Sequence, residues 1–233
     1  VIDQGHCLPL DKILESPASD GRALKDLMDP LQLEYGKYQS HYFLMPETVF
    51  AAGMWYDAKL LRENGLIAPR TWDEYLKVCE KLKGNGVYAI GYCGEDAANE
   101  YAVCYWFLPM LASTDSELLG RVERLDPTVW DELGMRETLE KMVQIRDRGY
   151  FDPETLQMNN AEVQSKFINR EFLFLPCGSW LENEMADSWP EDFELTFLPF
   201  SGKNRSDGTD YVMTMPLVSA VPSETMGEYT FSP

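Results

Sequence analysis

The sequence predicts an α/β fold, because helix-like and strand-like segments alternate along the chain between glycine and proline residues. The clearest helix opens at a capping box, Thr71–Glu74, and keeps apolar residues at helical spacing as far as Leu82. The clearest strand is the apolar run Phe172–Pro176. With 233 residues, 45% of them hydrophobic and 25% charged, the composition is that of a globular chain.

Four of the predicted helices have a cap or a stop signal at one end or at both. These signals are, in chain order, Gly65, Thr71, Gly84, Gly149 and Asn160. The helices with these signals are Asp57–Asn64, Thr71–Gly84, Met135–Arg148 and the segment from Asn160 to Ile168. A further helix is predicted over about Asn99–Ala112. In the helix after Met135, the spacing places Leu139, Met142 and Val143 on the buried face.

Strands are predicted where β-branched and aromatic residues cluster between turn residues. One strand ends near Trp55, and the others are Val87–Cys93, Phe172–Pro176, Phe193–Leu198 and Tyr211–Val221. Gly178, Ser179 and Trp180 form a turn into a polar helix, and the acidic stretch Ser201–Asp210 is a loop.

Charge, cysteine usage and hydropathy exclude several classes of protein. Twenty Lys and Arg against 39 Asp and Glu give a net charge of −19, without a basic block that would bind nucleic acid or anionic lipid. No apolar run approaches the roughly 18 residues of a membrane helix. Five scattered cysteines form neither a disulfide framework nor a metal-binding spacing. The chain opens on Val1 and not on Met, so we expect any export signal to lie upstream.

Familiar catalytic motifs are missing. There are two histidines and no GxSxG, HExxH, P-loop or GxGxxG motif. Glu182 and Glu184 lie two residues apart, on different faces of a helix, and do not make an acid/base pair. The run Ser206–Asp210 lacks the spacing of a calcium loop. No metal or cofactor is predicted, although the many carboxylates leave a two-carboxylate glycosidase open.

Aromatic residues carry the functional signal. Six Trp and twelve Tyr are many for this length, and several lie at the ends of elements. An exposed indole offers a flat face to the C–H face of a sugar, while neighbouring polar groups bind its hydroxyls. Each of these aromatics could instead pack in the core, as we expect of Trp72. The predicted ligand-binding residues are Trp180, Trp106, Glu47, Asn99, Glu100, Tyr101, Ser179 and Trp55.

Four motifs, in order, resemble those of the bacterial family 1 extracellular solute-binding proteins. The string Trp55–Leu66, followed by Pro69–Leu76, resembles their tryptophan-rich signature. Phe167–Leu173 resembles their entry into a strand, except that Phe172 and the next residues are larger than the family prefers. Cys177–Leu181 matches their Gly-Ser-Trp turn, and Phe197–Phe200 their return between lobes. These motifs occur in the same order over about 150 residues of the chain, which makes the set more specific than any single motif.

The resemblance implies a two-lobed, Venus-flytrap fold of the periplasmic-binding-protein type II class. Such a protein binds a sugar between its lobes, makes and breaks no bond, and delivers the sugar to the permease subunits of an ABC importer. It implies an extracellular, lipid-anchored or periplasmic protein, a monomer, with Trp180 stacking on the sugar. Residues 1–53 and 198–233 would form part of the first lobe, and 54–197 the second. The start close to Leu8–Asp11 predicts an internal fragment with one lobe incomplete.

Three alternatives stay open on the sequence alone. The first is a carboxylate-based glycoside hydrolase. The second is a receptor for a solute other than sugar, such as a peptide, a polyamine or an anion, with Glu47 and Glu100 favouring a cation. The third is a decayed gene product without a transport role.

Overall fold

The computed structural model describes residues 2–95, 100–199 and 212–223. These residues form two compact units. One comprises the described residues up to Phe50 together with those from Thr214 onward, and the other runs from Ala51 to Met213. The lobe boundaries predicted from the sequence, at 53/54 and 197/198, stay a prediction. The predicted loop Ser201–Asp210 and Asn99 lie outside the described residues.

The α-helices of the described residues are short, and five of them begin at a side chain that accepts hydrogen bonds from the first turn: Asp29, Asp57, Thr71, Asp115 and Asn159. They are α1 (Asp11–Leu14), α2 (Pro30–Tyr35), α3 (Ala58–Glu63), α4 (Trp72–Gly84), α5 (Leu108–Thr114), α6 (Ser116–Glu123), α7 (Leu133–Asp147), α8 (Asn160–Ile168) and α9 (Leu181–Glu184). A π-helix, Glu100–Phe107, runs directly into α5. None of these helices is long and apolar enough to cross a membrane.

The strands among the described residues are β1 (Lys37–Tyr38), β2 (His41–Tyr42), β3 (Met45–Asp57), β4 (Tyr88–Ile90), β5 (Phe172–Gly178), β6 (Leu195–Leu198) and β7 (Met213–Ser219). β1 and β2 form a hairpin, and the larger sheet has the order β4-β5-β3-β6 with β7 also paired to β3. β4 runs parallel to β5, whereas β5 and β6 run antiparallel to β3. Trp55 lies opposite Leu175 on one side and Phe197 on the other.

The main core of the larger unit lies between α4 and strands β3 to β5. α4 buries one face at helical spacing, formed by Trp72, Tyr75, Val78, Cys79 and Leu82. Trp72 stacks on Tyr75 and Tyr75 on Phe174 of β5, with ring centroids 5.5 and 4.9 Å apart. Burial of such side chains stabilises the fold by about 1.5–3 kcal/mol each. Trp72 is a core residue, as expected.

Two helix predictions are wrong in detail. Leu139 and Val143 are 42% exposed, because α7 buries Met135, Thr138 and Ile145 instead. Residues 139 and 143 lie about 100° further round the helix than 138 and 142, which turns them toward solvent.

The cap of α8 is Asn159 and not Asn160. A capping box needs an acid three residues after the cap, and Glu162 takes that position relative to Asn159.

Candidate functional site

The turn from β5 into α9 holds the half-buried indole of Trp180. Backbone N–H of Ser179 donates to the Ala51 carbonyl at 2.8 Å, and the Ser179 hydroxyl accepts from the Ala51 N–H at 3.3 Å. The turn is therefore tied to β3 through both backbone and side chain. A Cβ atom at Gly178 would lie 1.9 Å from the Trp180 ring. Only glycine at this position lets the indole lie back over the end of the strand.

A row of aromatic rings leads from the π-helix to Trp180. The Tyr101 and Tyr105 rings meet edge to face with centroids 5.2 Å apart, and Tyr105 meets the Trp180 ring in the same way at 5.3 Å. Both tyrosines are buried, whereas Trp180 is half-buried. The buried tyrosines therefore support an indole of which part stays accessible.

Polar partners surround this row. The Tyr101 hydroxyl donates to Asn160 Oδ1 at 2.6 Å, and the Tyr105 hydroxyl donates to the exposed Glu100 carboxylate. The exposed carboxylate of Glu184, four residues after Trp180, accepts from Gln164 Nε2 at 2.7 Å. Two carboxylates and two side-chain amides thus accompany the aromatic row, and each is oriented by a hydrogen bond.

Burial raises the pKa of two phenols and one thiol at this site. Burial first, then the hydrogen bond to Glu100, raises the pKa of Tyr105, and burial raises the pKa of Tyr101. Burial also raises the pKa of Cys177 to about 12, with Glu184 contributing in the same direction. At neutral pH the two phenols therefore remain hydrogen-bond donors, and Cys177 remains a thiol and not a nucleophilic thiolate.

Of the other predicted residues, Trp106 and Glu47 do not belong to this group, whereas Trp55 contacts it through Cys177. Trp106 is 4% exposed and belongs to the main core, with its ring centroid 6.0 Å from that of Tyr92. The indole N–H of Trp55 donates to the Cys177 carbonyl at 3.1 Å, and its ring packs on Phe197. Glu47 belongs to the other compact unit, where its carboxylate accepts from Ser219. Asn99 lies outside the described residues.

The structure therefore groups Trp180, Ser179, Glu100 and Tyr101, with Trp55 linked to them through Cys177. Sequence reasoning missed Tyr105, which joins the π-helix to Trp180, and the contacts of Glu184 with Gln164. The four-residue spacing of Tyr101 and Tyr105 was a usable signal for shared orientation. The described residues hold no group of His, Cys, Asp and Glu arranged to bind a metal ion.

Comparison with known proteins adds the family. A family model for bacterial extracellular solute-binding proteins matches residues 1–220. The chain is 26% identical over 191 residues to the diacetylchitobiose binding protein NgcE of Streptomyces coelicolor, covering 82% of this chain and 40% of that protein. It is 22% identical over 176 residues to a multiple sugar-binding protein of Streptococcus mutans, covering 74% of this chain and 41% of that protein.

Solved structures support the fold. A chitin oligosaccharide binding protein superposes with a TM-score of 0.81 at 23% identity, covering 96% of this chain and 54% of that one. The solute-binding protein RafE, solved with raffinose, gives a TM-score of 0.72 at 20% identity, covering 95% of this chain and 55% of that one. These likenesses confirm the predicted two-lobed α/β fold class. The chain spans about two fifths of the curated relatives and about half of these structures.

Proposed function

Because this chain belongs to the family of bacterial extracellular solute-binding proteins, we propose that it binds an oligosaccharide and delivers it to the transmembrane subunits of an ABC importer. Members of the family are extracellular solute receptors. We propose the same location for this protein, in a periplasm or on a lipid anchor, and action as a monomer. The names of its relatives include diacetylchitobiose, chitin oligosaccharide and raffinose, which supports a sugar of two or more units.

The observation that carries the proposal is the half-buried Trp180 indole supported edge-on by the buried Tyr105 ring. The Tyr105 ring packed against the indole restricts its orientation, so a sugar that stacks on Trp180 loses little additional side-chain entropy. The carboxylate of Glu184 can accept hydroxyl hydrogens beside the stacked face, and Ser179 Oγ can donate to a sugar oxygen.

We propose that this site binds and does not catalyse. The family consists of binding proteins. The carboxylates of Glu100 and Glu184 each accept a hydrogen bond from a neighbouring side chain of the protein, Tyr105 and Gln164 respectively. Both histidines belong to the unit that does not contain Trp180.

The test is calorimetric titration of the intact protein with diacetylchitobiose, longer chitin oligosaccharides and raffinose. Trp180→Ala should weaken binding by about 30-fold or more, the effect of losing a central tryptophan contact. Trp130→Ala, at a tryptophan 62% exposed, is the matched control and should bind as the wild type does. Binding that survives Trp180→Ala would contradict the site, and sugar fragments on thin-layer chromatography would contradict binding without catalysis.

A polyamine is the second candidate, favoured by the two exposed carboxylates near Trp180, those of Glu100 and Glu184. Spermidine titrated in the same way distinguishes the two. Saturable heat with spermidine and none with any sugar would replace the carbohydrate proposal with this one.

A further inference from the structure

The π-helix brings Glu100 and Tyr105 to the same place. In a regular α-helix, residues five apart point about 140° away from each other. The wider π-helical turn closes between residues five apart, and here the Tyr105 hydroxyl reaches the Glu100 carboxylate. The Glu100 carboxylate at the start of the π-helix therefore accepts a hydrogen bond from Tyr105 in the same turn.

Tyr105 is fixed from both ends. Its hydroxyl is held by Glu100, and its ring is 1% exposed between Tyr101 and Trp180. On the Trp180 side the packing is tight, because the indole lies so close to the Gly178 backbone that a Cβ atom there would stand 1.9 Å from its ring. A change in the tilt of the Tyr105 ring therefore has to move Trp180.

We propose that Tyr105, anchored by Glu100, is the positioning residue that sets the orientation of the Trp180 indole for sugar stacking. Glu100 then acts through Tyr105 and not by accepting a sugar hydroxyl. This inference rests on the proposed function for its consequence in binding, while the orientation of the indole is a property of the protein without ligand.

The test separates orientation from binding. The intact protein is labelled with 5-fluorotryptophan, and the fluorine resonance of Trp180 is identified by its loss in Trp180→Phe. Tyr105→Phe keeps the ring and removes the anchor, so the Trp180 resonance should shift or broaden without ligand. Binding of diacetylchitobiose should weaken by about tenfold or more, the size of one hydrogen bond to a charged group.

The matched control is Tyr150→Phe. Tyr150 is also 1% exposed and donates its hydroxyl to a carboxylate, that of Glu80, in the same unit. This variant loses a similar hydrogen bond away from Trp180, and should leave both the Trp180 resonance and the sugar affinity as in the wild type. An equal shift of the Trp180 resonance in both variants would show that Tyr105 has only a structural role.

A double-mutant cycle decides the role of Glu100. If Glu100 acts through Tyr105, then Tyr105→Phe combined with Glu100→Ala binds no more weakly than the poorer single variant. If the two losses of sugar affinity multiply in the double variant, Glu100 contacts the sugar independently of Tyr105. That result would overturn the claim that Glu100 acts through Tyr105. An unchanged Trp180 resonance in Tyr105→Phe would overturn the positioning role, whereas wild type that binds no sugar would overturn only the proposed function.

Discussion

At the scale of single residues, a glycine decides whether the tryptophan can take its place. Gly178 has no Cβ, and the Trp180 ring occupies the space where one would stand. The position of the Trp180 indole therefore depends on the missing Cβ atom of Gly178 as well as on packing against the Tyr105 ring.

Gly178→Ala should displace the Trp180 indole, because the added methyl group would lie 1.9 Å from its ring. We expect a loss of about 1–3 kcal/mol in the free energy of unfolding, the usual cost of overpacking, together with loss of sugar binding. Urea unfolding measures the first effect. Gly84→Ala is the control, since a Cβ there meets nothing within 4 Å and should be neutral or stabilising. A cost that persists in a Trp180→Ala background would show that the clash is not with the indole.

At the scale of elements, local signals place most of the helices. The Thr71 side chain accepts from the Glu74 N–H, as the capping box predicts, although the Glu74 carboxylate bonds the N–H of Arg70 and not that of Thr71. Gly65 and Gly149 both have positive φ, as a residue that follows a helix end often does. Such signals act within four residues and depend little on the rest of the fold.

Asn159→Ala should lower the free energy of unfolding by about 1 kcal/mol, because it removes one half of a complete capping box. Asn159→Ser keeps an oxygen that accepts from the Glu162 N–H, and should differ from the wild type by a few tenths of that amount. Thermal and urea unfolding of both variants measure the difference. Equal losses in the two would mean that Asn159 acts through something other than its cap.

At the scale of the whole molecule, the net charge of −19 makes paired carboxylates important for acid stability. Hydrogen bonds from Lys59 and then Arg170 lower the pKa of Asp192 to about 2. Hydrogen bonds from Thr128 and then Arg121 lower the pKa of Asp126 to about 2 as well. These carboxylates are ionised in the folded protein at a pH at which the unfolded chain already binds protons.

Stability should therefore fall as the pH drops from about 4 to about 2. A lowered carboxyl pKa contributes stability above the ordinary value of 3.8, and that contribution is lost as the pH falls through about 2. Asp192→Asn should be less stable than the wild type at pH 6, and the difference should shrink toward pH 2. Urea midpoints across this range test it, with Glu191→Gln as the exposed neighbouring control. A difference that stays constant with pH would contradict the assignment.

The sequence alone predicts the family, the α/β class and most of the helices of the described residues. The family motifs lie in continuous strings such as Trp55–Leu66, and the match over residues 1–220 confirms the family they predict. Caps and glycine stops are equally local, so they can be read without knowing what packs where. The turn at Gly178, with a tryptophan two residues later, was visible for the same reason.

Which aromatic residues are accessible, and which polar groups lie beside them, depends on packing between segments that are far apart in the sequence. Trp106 follows a polar-aromatic cluster and Trp180 follows a Gly-Ser turn, yet the first is covered by the main core and the second is half-buried at the end of β5. Tyr105 meets Trp180 across 75 residues of chain, and Glu47 falls in a different compact unit. Exposure depends on the elements that pack over a side chain, and hydrophobic spacing within its own segment does not contain that information.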